Sequence, residues 1–270
     1  MIQNQRVIYN GTDISTKVND FRSGSVAFSY TTGQYLYIGS VLPMNNIYME
    51  LAPLNLAASN VSVEIWWANA WHSAVDIIDE TTGLQSTGRI QWSTHKDKSW
   101  DWEQDSKDVT GLESFAIYWK YWLRLSWSAT FTNSPVLKYV GQKYSSDDVL
   151  YSFYPDLSNA TLLAGFETGK TSWDEQHYFA AQCIEKDLRS KDIIKDRSQV
   201  MDWSMLQEAS CHKVAELAYR AFGQPYAEQL ARASKDYASS LNLAFYNIDL
   251  NANGKIDPVE RLITTSFGTR

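Results

Sequence analysis

The run Asp249-Leu250-Asn251-Ala252-Asn253-Gly254-Lys255-Ile256-Asp257-Pro258-Val259-Glu260 is the segment best suited to chemistry. Side-chain oxygens stand at positions 1, 3, 5, 9 and 12 of it, and Gly254 stands sixth, where a chain wrapping an ion must turn sharply. That is the spacing of an EF-hand loop. Asp249, Asn251, Asn253 and Asp257 would face a Ca2+ ion, the Lys255 carbonyl would supply the backbone ligand, and Glu260 could offer both oxygens. Only Asp249, Asp257 and Glu260 are carboxylates, so the expected affinity is modest. No second such loop occurs, and sensors that open on binding normally use a pair, so a structural clamp on the C-terminal end is expected. The competing reading is an Asn/Gly-rich surface turn.

Ala164-Gly165-Phe166-Glu167-Thr168-Gly169-Lys170-Thr171 loosely resembles a phosphate-binding loop, with Ala in the first glycine place. A nucleotide site needs a parallel strand ending in a magnesium-binding Asp, and none follows. Glu167 would also set a carboxylate beside the phosphates. A loop entering a helix is therefore expected, and a nucleotide hydrolase at Lys170 is disfavoured. Trp66, Trp67, Trp71, Trp92, Trp100 and Trp102, with Asp101 and Glu103 among them, could stack on sugars or fill a core and subunit interfaces. Core and interface are favoured. Paired acids also suit glycoside hydrolysis, but their separation in space decides that. His72, His95, His177 and His212 show no metal-ligand spacing, and neither Cys183 nor Cys211 lies in a nucleophile motif. No enzyme is expected.

The elements that would carry these residues follow two grammars. From about Val26 to Val140 apolar residues alternate, most cleanly along Leu123–Phe131, so one face of each strand is expected buried and the other wet. Comparable runs are 26–30, 35–38, 47–51, 61–67, 74–78, 89–92, 115–119 and 136–140, broken by glycines and prolines. Short strands without intervening helices read as an antiparallel β-sandwich of jelly-roll type, set within residues 1–150. Nine of the eleven tryptophans fall between Trp66 and Trp127, and none follows Trp203.

Residues 151–270 read as an antiparallel helical bundle, giving an α+β chain of two domains. Ser172-Trp173-Asp174-Glu175 has the form of a capping box ahead of a stripe at Trp173, Ala180, Ala181, Ile184 and Leu188. A second helix is expected from an Asp202 cap to Phe222, with Gly223 as its stop. A third begins at Gln224-Pro225 with the stripe Leu230, Tyr237, Leu241, Phe245 and Ile248.

Charge and hydropathy narrow the functional classes. The formal net charge of −7 over 270 residues argues against a general nucleic-acid or anionic-membrane binder. No apolar run approaches the ~18–20 residues of a membrane span, and the start lacks the apolar centre of a cleaved leader. Two cysteines make no disulfide scaffold. A soluble protein made in a cytoplasm is expected.

Tyr35-Leu36-Tyr37-Ile38-Gly39, Asp79-Glu80-Thr81-Thr82-Gly83, Ser86–Trp92 and Tyr121–Leu125 together resemble segments of virion structural proteins of tailed bacteriophages. Asp187–Ile194, Ala218–Gly223 and the terminal Ser266–Arg270 resemble head-to-tail connector (adaptor) proteins. The resemblance covers most of the chain after Gln34. It implies a helical bundle docked beneath the portal ring, a C-terminal arm reaching a neighbour or the portal, and a self-assembled ring, commonly dodecameric, in the virion neck. Another neck or tail protein would be a further partner, and DNA would pass through without specific binding. A sandwich this large is unusual for an adaptor, so connector, stopper, collar and baseplate positions all stay open. A carbohydrate-binding or host-recognition module of a collar, baseplate or fibre is the alternative.

Overall fold

The computed structural model describes residues 5–19, 24–93, 102–243, 248–249 and 251. The chain divides into two compact units, residues 1–141 with 196–198, and 142–195 with 199–270. It is an α+β protein with two antiparallel sheets in the first unit and long helices in the second.

The strands are β1 Gln5–Tyr9, β2 Thr12–Asp13, β3 Val26–Ala27, β4 Leu36–Ser40, β5 Asn46–Leu51, β6 Val61–Trp67, β7 Ala70–Ser73, β8 Val75–Asp79, β9 Gly88–Ser93, β10 Trp102–Asp105, β11 Tyr118–Trp127 and β12 Val136–Gly141. A short helix, α1 Ser15–Val18, follows β2. One sheet runs β2-β1-β4-β11-β6-β7, with β10 also on β11; the other runs β3-β12-β5-β9-β8. Alternation in β11 sends Leu123, Leu125 and Trp127 into one core, shared with Ile38 and Val63 of the first sheet and Met49, Ile90 and Leu137 of the second.

Along 123–128 the alternation holds, with Arg124 and Ser126 half-buried and Ser128 exposed, but just ahead of that run the other face of β11 is covered. Trp122 is fully buried there with Ile8, Trp66, Val109, Leu112 and Ile117. The cover is the β10–β11 connection, which folds back over the sheet; of the strand expected at 115–119 only Tyr118 and Trp119 are strand, as the start of β11. Ser106 pins the fold-back, its hydroxyl donating to the Phe115 carbonyl at 2.9 Å and accepting from the Ile117 amide at 3.0 Å. Gly39 makes room for it: a Cβ there would lie 2.7 Å from the Trp122 ring.

In the second unit α2 Asp147–Phe153 and α3 Ala160–Phe166 precede the long helices α4 Asp174–Ser190, α5 Gln207–Phe222 and α6 Ala227–Leu243. Asp202 accepts from the Ser204 amide at 2.9 Å, and Gly223 ends α5 at φ +73°, as the sequence predicts. The capping box at Ser172 does not form. Asp147 of α2 takes the Trp173 amide instead, both oxygens at 3.1 Å, and Ser172 turns to the Asp174 carboxylate. Helix α4 buries Ala180, Ala181, Ile184 and Leu188, with Trp173 fully buried at its cap. Ile248 lies past α6, bridged to Val200, and Phe245 lies outside the described residues.

Candidate functional site

The first unit leaves three large aromatic side chains in water along the paired strands β10 and β11. Trp102 opens β10, and Tyr118 and Trp119 open β11; their exposures are 52 %, 52 % and 45 %. The two indoles stack on each other, centroids 4.4 Å apart and planes 28° from parallel. Pairing of Trp102 with Tyr121, Glu103 with Lys120 and Asp105 with Tyr118 sets the strands in register, leaving exposed Gln104 and Trp119 between the last two pairs. Trp119 holds φ +61°, a left-handed conformation in which a bulky side chain is a genuine outlier. The inward neighbours are fixed: Glu103 accepts from the Trp66 indole at 2.6 Å, and Lys120 is buried.

The six tryptophans singled out in the sequence therefore separate. Trp66 and Trp92 are interior. Trp71 is half-buried and donates to the Thr110 carbonyl at 2.9 Å, with the Arg124 guanidinium over its ring at 4.7 Å. Trp67 is half-buried, its ring 3.8 Å from that of His72. Trp102 is exposed, and Trp100 lies outside the described residues. Trp119 and Tyr118 are absent from the sequence-based set because the run 115–119 reads there as an ordinary alternating strand. The acidic side chains Asp79 and Glu80 organise a turn: Asp79 accepts from the Thr81 and Gly83 amides, each at 2.8 Å, and Glu80 from the Arg89 amide at 3.0 Å.

Of the candidate calcium ligands, Asp249 and Asn251 are described; Asn253, Lys255, Asp257 and Glu260 lie outside the described residues. Asp249 is buried, and Gln199 clamps its backbone: the Asp249 amide donates to the Gln199 carbonyl at 2.8 Å, and the Gln199 side chain returns a bond to the Asp249 carbonyl at 2.9 Å. The first of the candidate ligands is thus anchored through its backbone. Among the described residues no group of three or more His, Cys, Asp or Glu side chains is placed to hold a metal.

Ala164, Gly165 and Phe166 are the last turn of α3, so the front half of the phosphate-loop-like stretch is helix. Its amides serve that helix rather than curling round an anion. Lys170 follows, its ammonium over the rings of Phe166 and Trp173 at 5.3 and 5.6 Å.

The second unit also holds a serine–histidine–aspartate chain that sequence spacing conceals. Ser145 Oγ lies 2.6 Å from His177 Nδ1, and His177 Nε2 lies 3.1 Å from Asp147 Oδ1. Ser210 Oγ continues the chain from Ser145 at 2.7 Å. A base between a hydroxyl and a carboxylate is the pattern that activates a nucleophile. Here His177 is fully buried and Ser145 nearly so, and the chain of bonds pins α4 to α5 and to the N-terminus of α2. Burial pushes the His177 imidazole below its usual range, against the upward pull of Asp147.

An open cleft of about 300 Å³ lies elsewhere in the unit, lined by Val149, Phe153, Met205, Glu208 and Ser240 among others. There Ser240 donates to Glu208 Oε1 at 2.9 Å. Burial raises the Cys211 thiol to about 12, which leaves it un-ionised and unreactive.

Comparison with protein-family models, with curated proteins and with solved structures returns no match to this chain.

Proposed function

We propose that this chain is a non-enzymatic structural protein of a tailed-phage virion, a head-to-tail connector that assembles with copies of itself into a ring in the neck beneath the portal. The observation that carries the assembly reading is β8. It is the last strand of its sheet, and it leaves Val75 and Ile78 exposed, Ile78 at 58 %. An edge with exposed apolar side chains can accept a further strand, and the short length, Asp76, Asp79 and register shift of β8 narrow what can pair there. Asp76, at φ +51° within the register shift of β8, limits what can add there to a partner shaped to it.

The wider reading joins this edge to the rest of the chain. The two sheets form a sandwich of jelly-roll type around their shared core, and the long helices form the adaptor bundle that meets the portal and a further neck or tail protein. Residues 249–260 form an EF-hand-like loop whose Ca2+ clamps the C-terminal arm. The net charge of −7 keeps the ring from gripping passing DNA, since like charges repel.

Negative-stain microscopy of the full chain, alone and mixed with the portal protein of the same phage, tests the reading. Rings that cap the portal support it. Single particles that never join the portal overturn the neck assignment. Ile78→Lys is expected to weaken self-association at least tenfold without lowering the melting temperature. Unchanged self-association would remove β8 from the interface.

A further inference from the structure

The exposed aromatic corner formed by Trp102 and Trp119 is a ligand surface of its own, and we propose that it binds a neutral oligosaccharide. Three observations converge on that ligand class. First, the indoles are locked in a mutual stack, centroids 4.4 Å apart, on paired strands. A stack of this kind is a preformed apolar plate, and the C–H face of a pyranose ring is the flat, weakly apolar surface that lies against such a plate. Second, the exposed Gln104 lies across from Trp119 between the paired residues of β10 and β11, which sets an uncharged amide beside the stack. Ring hydroxyls need donors and acceptors at the edge of an apolar face, and an amide supplies both. Third, the charge balance selects among flat ligands. Nucleobases would stack equally well, but their phosphates need a basic groove, and this chain carries a net charge of −7. A neutral sugar pays no such penalty.

The backbone at Trp119 fits the same purpose. A tryptophan at φ +61° is strained, and the strain turns its ring onto Trp102 rather than into a core. A residue serving only the fold would relieve that strain by burial or by replacement with Asn or Gly. The proposal is independent of assembly at β8, because it concerns a different edge of a different sheet.

The test titrates the full chain with cellohexaose, maltohexaose and chitohexaose, following tryptophan fluorescence and heat. The expected result is saturable binding of at least one probe with a blue shift of emission. Trp119→Ala and Trp102→Ala should each weaken it tenfold or more, and Trp119→Phe should retain most of it. Both variants should melt within about two degrees of the parent, since both side chains are exposed. No binding of any probe at millimolar concentration overturns the proposal. So does binding that both alanine variants retain. Loss of an oligomer in light scattering on Trp102→Ser with Trp119→Ser would overturn it too, showing that the corner faces another copy.

Discussion

His177 is the residue where burial and chemistry are most tightly bound together. Its ring bonds Ser145 and Asp147, Ser210 holds Ser145 from behind, and the charges of Lys143, ahead of α2, and of Asp174, one turn earlier on α4, act on it. Burial holds it neutral in the fold, while an unfolded chain returns it to about 6.5. The unfolded state therefore binds more protons just below that value. Stability due to this group is complete above pH 6.5 and declines as the pH falls from there toward the lower folded value. Thermal melts at pH 7.5, 6.5 and 5.5 check this. The parent should lose melting temperature across the series, whereas His177→Gln should start lower and decline less steeply. None of this was legible in the sequence, because Ser145, Asp147, His177 and Ser210 come from three segments that only tertiary packing brings together. The proposed first calcium ligand is a reading of the opposite kind. Asp249 is named by local spacing alone, since an ion-binding loop takes its ligands from one short run.

Among the elements, strands with clean alternation were readable and connections were not. Residues 61–67 form β6 over the span the period-two pattern predicts. The hairpin that follows was invisible, because its turn residues Ala68 and Asn69 adopt φ +50° and +58° without a glycine to announce it. Strand β7 was therefore missed. The fold-back over Trp122 was missed for a related reason: Val109, Leu112, Phe115 and Ile117 are apolar enough for a strand, and only the far face of β11 explains why they are not one. In the helical part, Gly223 marked the end of the second helix because capping is local, and Asp202 caps a 3-10 turn, Trp203–Leu206, that leads into it; Ser172 misled because its hydroxyl turns to Asp174 while Asp147 from another helix takes the Trp173 amide. The Gly39–Trp122 pairing gives this scale its prediction. Gly39→Ala drives a methyl into a fully buried ring and should cost about 1–3 kcal/mol in a urea unfolding experiment. Trp122→Leu empties a fully buried site and should cost more by itself, but the double variant should lose less than the two single losses added together, since the ring that clashes is gone.

At the scale of the whole molecule, the change from alternating to helical burial was the most legible feature, and it separates sheets from long helices in the structure. The proposed calcium clamp belongs to this scale because it would tie the chain end to the helical unit through Asp249. A ligand at a hundred times its dissociation constant stabilises by about 2.7 kcal/mol. Millimolar calcium should therefore raise the melting temperature of the helical unit by several degrees, and Glu260→Gln should abolish the rise. An equal rise in both proteins would place the ion elsewhere. Assembly is the central claim, and light scattering of the purified full chain over a hundredfold range of concentration tests it most directly. The account predicts a mass that is a ring-sized multiple of 30.8 kDa and that falls on Ile78→Lys. A mass of 30.8 kDa throughout, with or without the portal protein, would contradict it.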